Sequence, residues 1–361
     1  MVIGDFAGQS GAAAAYQDSK AAVLLGCRYR GDATISVTTA EEPQVDRSRF
    51  SRVPGSSLDI CLDTVRPYSK CESNFAMLPY SILRTPPLHH NQDLAKVLAG
   101  TDVVISTIYG GSVLAETALI NASKAAGVRR YLPCFFATVA PPKGALLLRE
   151  MKEDVLNHIK KIKLPYTIVD VGWWYQVNLP RLPSGRIDYA VMETSDGIAG
   201  DGNVPTAIID LRDVATYVAR IISDPRTLNR MVFAYNEVFT PNQMYDLLER
   251  VSGEKIPRKY VPVEEIEAQV HAVEVTHPSP DSVEFITLAQ LQYWRSCGVR
   301  GDNTPENAEY LGYLLAKDLY PDIKGTTLEA YAKEVLEGKG RRVYEHIMDL
   351  PSIKAANKGL K

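Results

Sequence analysis

The sequence has few residues that build metal sites, no long apolar run and no strong charge of either sign. Its five cysteines include no Cys-x-x-Cys pair, and its six histidines supply no ligands beside them, so we expect no structural metal and a reducing compartment. No stretch approaches the roughly 18 apolar residues of a membrane-spanning helix, which argues against a membrane protein. Because the net charge is only -3 and lysine and arginine form no strong cluster, we expect no binding to nucleic acid.

The chain also lacks a recognisable secretory signal and an internal repeat. Residues 1–5 contain no basic segment followed by an apolar core, so we expect a cytoplasmic protein. No heptad or longer repeat recurs. What is present is a chain of 361 residues, 45% hydrophobic and 23% charged, which is typical of a globular protein with one large α/β body and a lobe.

The clearest pattern runs from Arg129 to Gly172. Short β-branched or aromatic runs at residues 131–136 and 165–171 flank a segment in which apolar residues recur at helical spacing. This pattern predicts a parallel strand, helix, strand unit. Because the C-terminal ends of such strands open at the sheet edge where doubly wound folds bind ligands, residues 133–137 and 172–175 should face the site.

Lys152 lies in the first turns of the predicted helix, close to the same sheet edge if the loop at 137–147 folds back. A partly buried lysine has a lowered pKa and can serve as a proton donor or base. The alternative is that Lys152 is one more solvated charge beside Glu153 and Asp154.

Two further groups are candidates for the same edge. A buried strand at residues 102–107 ends in hydroxyl side chains, so Ser106, Thr107 and Ile108 are candidates for cofactor contact, with capping of the next helix as the alternative. Three adjacent aromatic residues, Trp173 to Tyr175, follow the later strand. They fit a flat substrate, although ordinary core packing also accounts for each of them.

The first ninety residues give a weaker pattern. Residues 2–7 make a poor strand, and Gly8 and Gly11 precede an alanine run in a Gly-x-x-Gly-x-x-Ala arrangement. Such a turn can receive a pyrophosphate on its backbone amides, but a lone match is a weak signal. Farther along, Asp210 precedes apolar residues at helical spacing and predicts a capped helix, and residues 231–234 predict a strand.

Several of these motifs together resemble the isoflavone reductase and phenylcoumaran benzylic ether reductase family, a branch of the NmrA-like atypical short-chain dehydrogenases. The family segment Pro-Ser-Glu-Phe-Gly appears here as Pro133-Cys134-Phe135-Phe136-Ala137. The family lysine matches Lys152, at the family's distance from Pro165-Tyr166-Thr167. The family's asparagine after the next strand is Gly172 here, which departs from the pattern. The likeness runs from about residue 93 to residue 335.

The resemblance implies an α/β fold with a doubly wound, Rossmann-type parallel sheet and a smaller C-terminal substrate lobe. The dinucleotide-binding domain would comprise residues 1–165, with 1–92 atypical, and would be completed by about 205–235. Residues 166–204 and 236–361 would form the substrate-binding lobe.

The resemblance also implies a function: NADPH-dependent reduction of a small aromatic or polyketide-like secondary metabolite. A homodimer is the oligomeric state that stays open as an expectation. Lys152 would be catalytic and no metal would be needed. The expected cofactor contacts are Gly8, Gly11, Ser106, Thr107, Ile108, Pro133, Cys134, Phe135, Phe136 and Gly172, and the expected substrate contacts are Trp173, Trp174 and Tyr175. Two alternatives stay open: an NmrA-like dinucleotide-sensing regulator without turnover, and a cofactor-independent dehydratase or cyclase on the same scaffold.

Overall fold

The computed structural model describes residues 22–26, 75–76, 90–108, 116–192, 197–279 and 282–343. Within these ranges the strands are β1 Ala22–Gly26, β2 Phe75–Ala76, β3 Val103–Thr107, β4 Arg130–Leu132, β5 Thr167–Val171, β6 Trp173–Trp174, β7 Gly197–Ala199, β8 Thr206–Ile209, β9 Arg230–Ala234, β10 Glu237–Phe239, β11 Lys259–Val261 and β12 Leu314–Leu315. The α-helices are α1 His90–Val97, α2 Glu116–Ala125, α3 Leu147–Lys161, α4 Tyr175–Asn178, α5 Leu211–Ile221, α6 Pro241–Ser252, α7 Val263–Glu274, α8 Val283–Arg295, α9 Pro305–Tyr310, α10 Ala316–Leu319 and α11 Leu328–Leu336.

The main sheet is parallel throughout. One group of strands has the order β2-β1-β3-β4 and another has the order β12-β9-β5. The two groups join at the start of β5, where Tyr131 forms a parallel bridge with Tyr166 and its N–H donates to the Pro165 carbonyl at 2.8 Å. The predicted strand, helix, strand unit is therefore β4, α3 and β5.

Helices cover both faces of this sheet. Helices α1, α2 and α3 pack on one face, in a buried cluster that includes Leu98, Val104 and Ile159. Helices α5 and α10 pack on the other face, in a cluster that includes Ile105 and Val218. The neighbours Val104 and Ile105 point to opposite faces because successive side chains of a strand alternate. The arrangement confirms the predicted doubly wound α/β fold.

Smaller sheets lie beside the main one. Strands β6, β8 and β10 form one of them, and β7 pairs with β11 in another. Helices α6 and α11 share a buried cluster with residues of β8 and α4, and α7 packs on α8. The predicted boundaries between a nucleotide domain and a substrate lobe stay a prediction. No helix in the described ranges has both the length and the apolar character needed to cross a membrane.

The end of β5 approaches β8 closely at Gly172. A Cβ atom added to Gly172 would lie 2.8–3.0 Å from backbone atoms of Ile208, which is too short for an ordinary contact. The glycine lets the two backbones meet, so that Trp173 and Trp174 pair in parallel with Ile208 and Ile209. Packing therefore gives a physical reason for glycine here, and the predicted cofactor contact of Gly172 stays a prediction.

The strand β1 has a weak signal in the sequence. It pairs along its whole length with β3, with Gly26 opposite Thr107. Its only sign in the sequence is a short apolar run that ends at Gly26. Gly8 and Gly11 lie outside the described residues, and they come before β1 in the chain. They therefore do not form the turn that directly follows β1, where a glycine-rich turn of this fold is expected.

Candidate active site

The chain turns sharply at the C-terminal end of β4. The Phe135 N–H donates to the Pro133 carbonyl at 2.7 Å, and the Phe136 N–H donates to the Val169 carbonyl at 2.9 Å. Phe136 has φ +30°, a backbone conformation that residues other than glycine rarely adopt. This turn directs the carbonyl groups of Cys134 and Phe135 toward α3.

The side chain of Lys152 reaches these two carbonyls. It is only 1% exposed, and its Nζ donates to the Cys134 carbonyl at 2.7 Å and to the Phe135 carbonyl. Its Nζ also lies 5.6 Å from the centre of the Phe135 ring, within the range of a cation–π contact. The alternative of a solvated charge is therefore wrong, and Lys152 lies at the sheet edge as predicted.

Two features of Lys152 suit it to proton transfer. Burial lowers the pKa of its amine because the charged form loses its water, and the nearby acids Asp170 and Glu116 oppose that shift. Two of its hydrogen bonds are used by the backbone carbonyls. One position on nitrogen is left, which is an N–H in the ammonium form and a lone pair in the neutral amine.

A buried carboxyl group, Glu116, lies on the other side of Cys134. Its Oε1 accepts hydrogen bonds from the Tyr131 hydroxyl at 2.8 Å and from the Cys134 N–H at 3.1 Å. Burial raises the pKa of Glu116. The sequence pattern did not single out this residue, because an acid in the first turn of a helix is usually a favourable charge at the helix N-terminus.

Cys134 joins the ends of β3 and β4. Its thiol donates to the Ile108 carbonyl at 3.0 Å, so two predicted cofactor segments meet here. Burial raises the pKa of the Cys134 thiol to about 11, and the uncharged thiol is a poor nucleophile at neutral pH. Ser106 and Thr107 are buried at the end of β3. The Thr107 hydroxyl has no hydrogen-bond partner among the described residues, and it bonds to no backbone N–H of α2 as a helix cap would.

A buried ion pair lies one helical turn before Lys152. Arg149, 4% exposed, contacts Asp170 Oδ2 through Nη1 at 2.6 Å and Glu153 through Nη2 at 2.6 Å. The Tyr313 hydroxyl donates to the same Asp170 oxygen at 2.5 Å. Burial by itself would lower the pKa of the Arg149 guanidinium group. The nearby carboxylates of Asp170 and Glu153 have the larger combined effect, so that this pKa is raised. This network fixes the start of α3 against the end of β5.

The three adjacent aromatic residues occupy different environments. Trp174 is buried in the same cluster as Cys134 and Phe136. Tyr175 is buried in another cluster, and its hydroxyl lies 3.0 Å from Glu237 Oε2. Trp173 alone is partly exposed, so it is the member of the trio that a substrate could reach without rearrangement of the core.

Tyr293 of α8 lies beside Trp173. Its ring centre lies 6.5 Å from that of Trp173. Burial raises the pKa of the Tyr293 hydroxyl, with smaller contributions from Cys297 and Asp170. The hydroxyl makes no hydrogen bond within the described part of the chain. Nothing in the sequence pattern selects Tyr293, because its proximity to Trp173 arises from contact between segments far apart in the chain.

A parallel, doubly wound sheet with helices on both faces is a Rossmann-type fold, in which ligands bind at the C-terminal edge of the strands. Here that edge carries the buried Lys152, the Thr107 hydroxyl without a partner among the described residues, and aromatic rings. Comparison with known proteins gives the particular group. The chain belongs to the NmrA-like family, whose model matches residues 82–332.

Relatives and solved structures agree with this assignment. The chain is 44% identical over 251 residues to asnovolin J 5',6'-dehydrogenase of Aspergillus novofumigatus. The matched region covers 68% of this chain and 77% of the relative. It is 28% identical over 327 residues to a phenylcoumaran benzylic ether reductase of Nicotiana tabacum, covering 87% of this chain and 98% of the relative. The leucoanthocyanidin reductase–NADPH complex of Vitis vinifera matches with a TM-score of 0.58 and 21% identity, over 73% of this chain and 86% of that one. These comparisons confirm the predicted family and the predicted enzyme class, an oxidoreductase.

Proposed function

We propose that this protein is an NADPH-dependent reductase of a small aromatic or polyketide-like secondary metabolite, with Lys152 as its proton donor. The observation that carries the proposal is the position of Lys152. Its amine is buried at the C-terminal edge of the sheet, with two hydrogen bonds to backbone carbonyls and one position left for exchange. The relatives named as dehydrogenase and reductase, and the matching NADPH complex, support it.

The residues at the sheet edge fit a nicotinamide dinucleotide. The unpaired Thr107 hydroxyl is a buried polar group that a ligand can satisfy. Ser106, Ile108 and the turn at Pro133 to Phe136 lie beside it and would hold the cofactor. When bound, the nicotinamide supplies a hydride to an electron-poor carbon of the substrate. The proposed contacts of Gly8 and Gly11 fall outside the described residues.

Lys152 acts on the charge that this reduction creates. An anion develops on the substrate as an electron-poor double bond, carbonyl or quinone methide accepts a hydride. The remaining N–H of the ammonium form donates a proton to that anion. The two backbone carbonyls fix the direction of this N–H, because they occupy the other donor positions on Nζ.

Aromatic side chains form the substrate side of the site. Trp173 and Tyr293 present partly exposed rings, which suit stacking on a flat substrate. Trp173 packs against the buried cluster that contains Tyr175, and the buried Trp174 and Tyr175 help to exclude water.

NADPH at about 100 times its dissociation constant is expected to stabilise the folded protein by about 2.7 kcal/mol, since a ligand that binds only the folded state shifts unfolding by mass action. Thermal unfolding with and without NADPH measures this, followed by NADPH oxidation with a panel of aromatic ketones and conjugated enones. An unchanged melting temperature would contradict the proposed cofactor and favour a cofactor-independent dehydratase or cyclase. Stabilisation without oxidation of NADPH by any member of a broad panel would favour a dinucleotide-sensing regulator.

Tyr293→Phe is expected to lower kcat/KM by about three- to tenfold, because it removes a hydroxyl that lacks a protein partner and is free to bind the substrate. Steady-state kinetics of NADPH oxidation measure the effect. Tyr310→Phe is the matched control, since Tyr310 is 86% exposed. Equal kinetics of the Tyr293 variant and the wild type would remove Tyr293 from the site.

A further inference from the structure

Glu116 and Lys152 hold the same residue from opposite sides. Glu116 accepts the Cys134 N–H at 3.1 Å, and Lys152 donates to the Cys134 carbonyl at 2.7 Å. Both side chains are buried, with exposures of 0% and 1%. The backbone of one residue therefore separates a buried carboxyl group from a buried amine.

The hydrogen bonds of Glu116 suit an ionised carboxylate. Oε1 accepts two hydrogen bonds, from Tyr131 and Cys134, and Oε2 has no partner among the described residues. Burial raises the pKa of Glu116, and the two accepted hydrogen bonds and the nearby Lys152 ammonium group oppose that shift by favouring the anion. A buried charge without such compensation is strongly unfavourable.

We propose that Glu116 is a positioning residue that favours the ammonium form of Lys152 from across the backbone of Cys134, and so extends to higher pH the range in which Lys152 can donate a proton. The inference rests on the proposed function of Lys152. The groups that face Glu116 are Ser106, Tyr131, Cys134 and Lys152. The groups that face Lys152 are Cys134, Asp170, Glu116 and Arg149.

The sign of the effect follows from the charges. Lys152 donates a proton only in its ammonium form, so activity falls as the pH rises through its pKa. The negative charge of Glu116 favours the ammonium form and raises that pKa. Without the charge, the alkaline limb of the activity profile should move to lower pH.

Glu116→Gln tests the proposal in the full-length protein. The amide oxygen can still accept from Tyr131 and Cys134, so the variant removes charge and keeps the acceptor. We expect the alkaline limb of kcat/KM to shift down by about one pH unit, a loss of about tenfold at a pH above the limb, with unchanged affinity for NADPH. An unshifted limb would show that Glu116 has only a structural role, and the proposal would fall.

A double-mutant cycle gives a second measurement that needs no turnover. The melting temperatures of Glu116→Gln, Lys152→Met and the double variant are compared with that of the wild type. If the charges are coupled, each single variant leaves the other charge uncompensated, so the double variant loses less than the sum of the two losses. Additive losses contradict the proposal, as does failure of both Glu116→Gln and the double variant to fold. If the double variant folds although Glu116→Gln by itself does not, the result supports the proposal. If the charges of Glu116 and Lys152 are coupled but the wild-type protein does not oxidise NADPH, the proposed function is overturned and the electrostatic coupling of the two residues stands.

Discussion

Lys152→Met is expected to lower kcat/KM for NADPH oxidation by about 10²–10⁴-fold, the usual contribution of a positioned proton donor. Methionine is unbranched and of similar length, so it can fill the buried space beneath Phe135, but it cannot donate a proton. The Cys134 and Phe135 carbonyls also lose their donor, and unsatisfied buried groups lower stability. Rates should therefore be measured well below the melting temperature of the variant.

Lys160→Met is the matched control for this experiment. Lys160 lies on the same helix and is exposed, so it tests whether losing any lysine from α3 alters turnover. We expect wild-type rates from the control. Retention of most of the wild-type kcat/KM by Lys152→Met, under conditions in which both proteins are folded and bind NADPH, would contradict a role for Lys152 in proton transfer.

Asp170→Asn is expected to lower the free energy of unfolding by about 3 kcal/mol. The substitution keeps the shape of the side chain but leaves the buried Arg149 guanidinium without its main counter-charge. Breaking a buried ion pair from one side typically costs about 3–5 kcal/mol. We expect the lower end because Glu153 still contacts Arg149 at 2.6 Å. Urea denaturation followed by a spectroscopic signal measures the change.

Asp322→Asn gives the comparison at the surface. Asp322 pairs with Arg220 at 2.7 Å, but both side chains are well exposed, so water screens the charges and the loss should be much smaller. Equal losses from the two substitutions would indicate that burial does not strengthen the Arg149–Asp170 pair. A loss in the Asp170 variant alone would show that burial makes the Arg149–Asp170 pair important for stability.

Local patterns predicted much of the scaffold. Asp210 caps α5 by accepting the Arg212 N–H, as predicted. The predicted strand at residues 231–234 is part of β9. These signals were readable because capping and apolar spacing involve residues that are close in the chain. The short strand β1 was missed because five apolar or small residues can equally begin or end a helix.

Only part of the candidate site could be predicted from the sequence, for a related reason. Lys152 was identified through its distance from Pro165-Tyr166-Thr167, which is a property of the chain itself. Glu116 and Tyr293 were missed because their significance depends on neighbours that are distant in sequence, Cys134 for one and Trp173 for the other. The aromatic trio was a single group in the sequence, whereas the structure separates it into two core residues and one that is partly exposed.

The sequence by itself predicted the parallel strand, helix, strand unit, the family and the position of Lys152 at the sheet edge. Each of these depends on the order and spacing of residues that are close in the chain. Tertiary structure alone decided that this lysine is buried against two backbone carbonyls, that a carboxyl group accepts a hydrogen bond from the N–H of Cys134, and that Tyr293 lies beside Trp173. These features depend on packing between segments far apart in the chain. Burial and the loss of water around a charge, which control the pKa of a side chain, arise only when those segments meet.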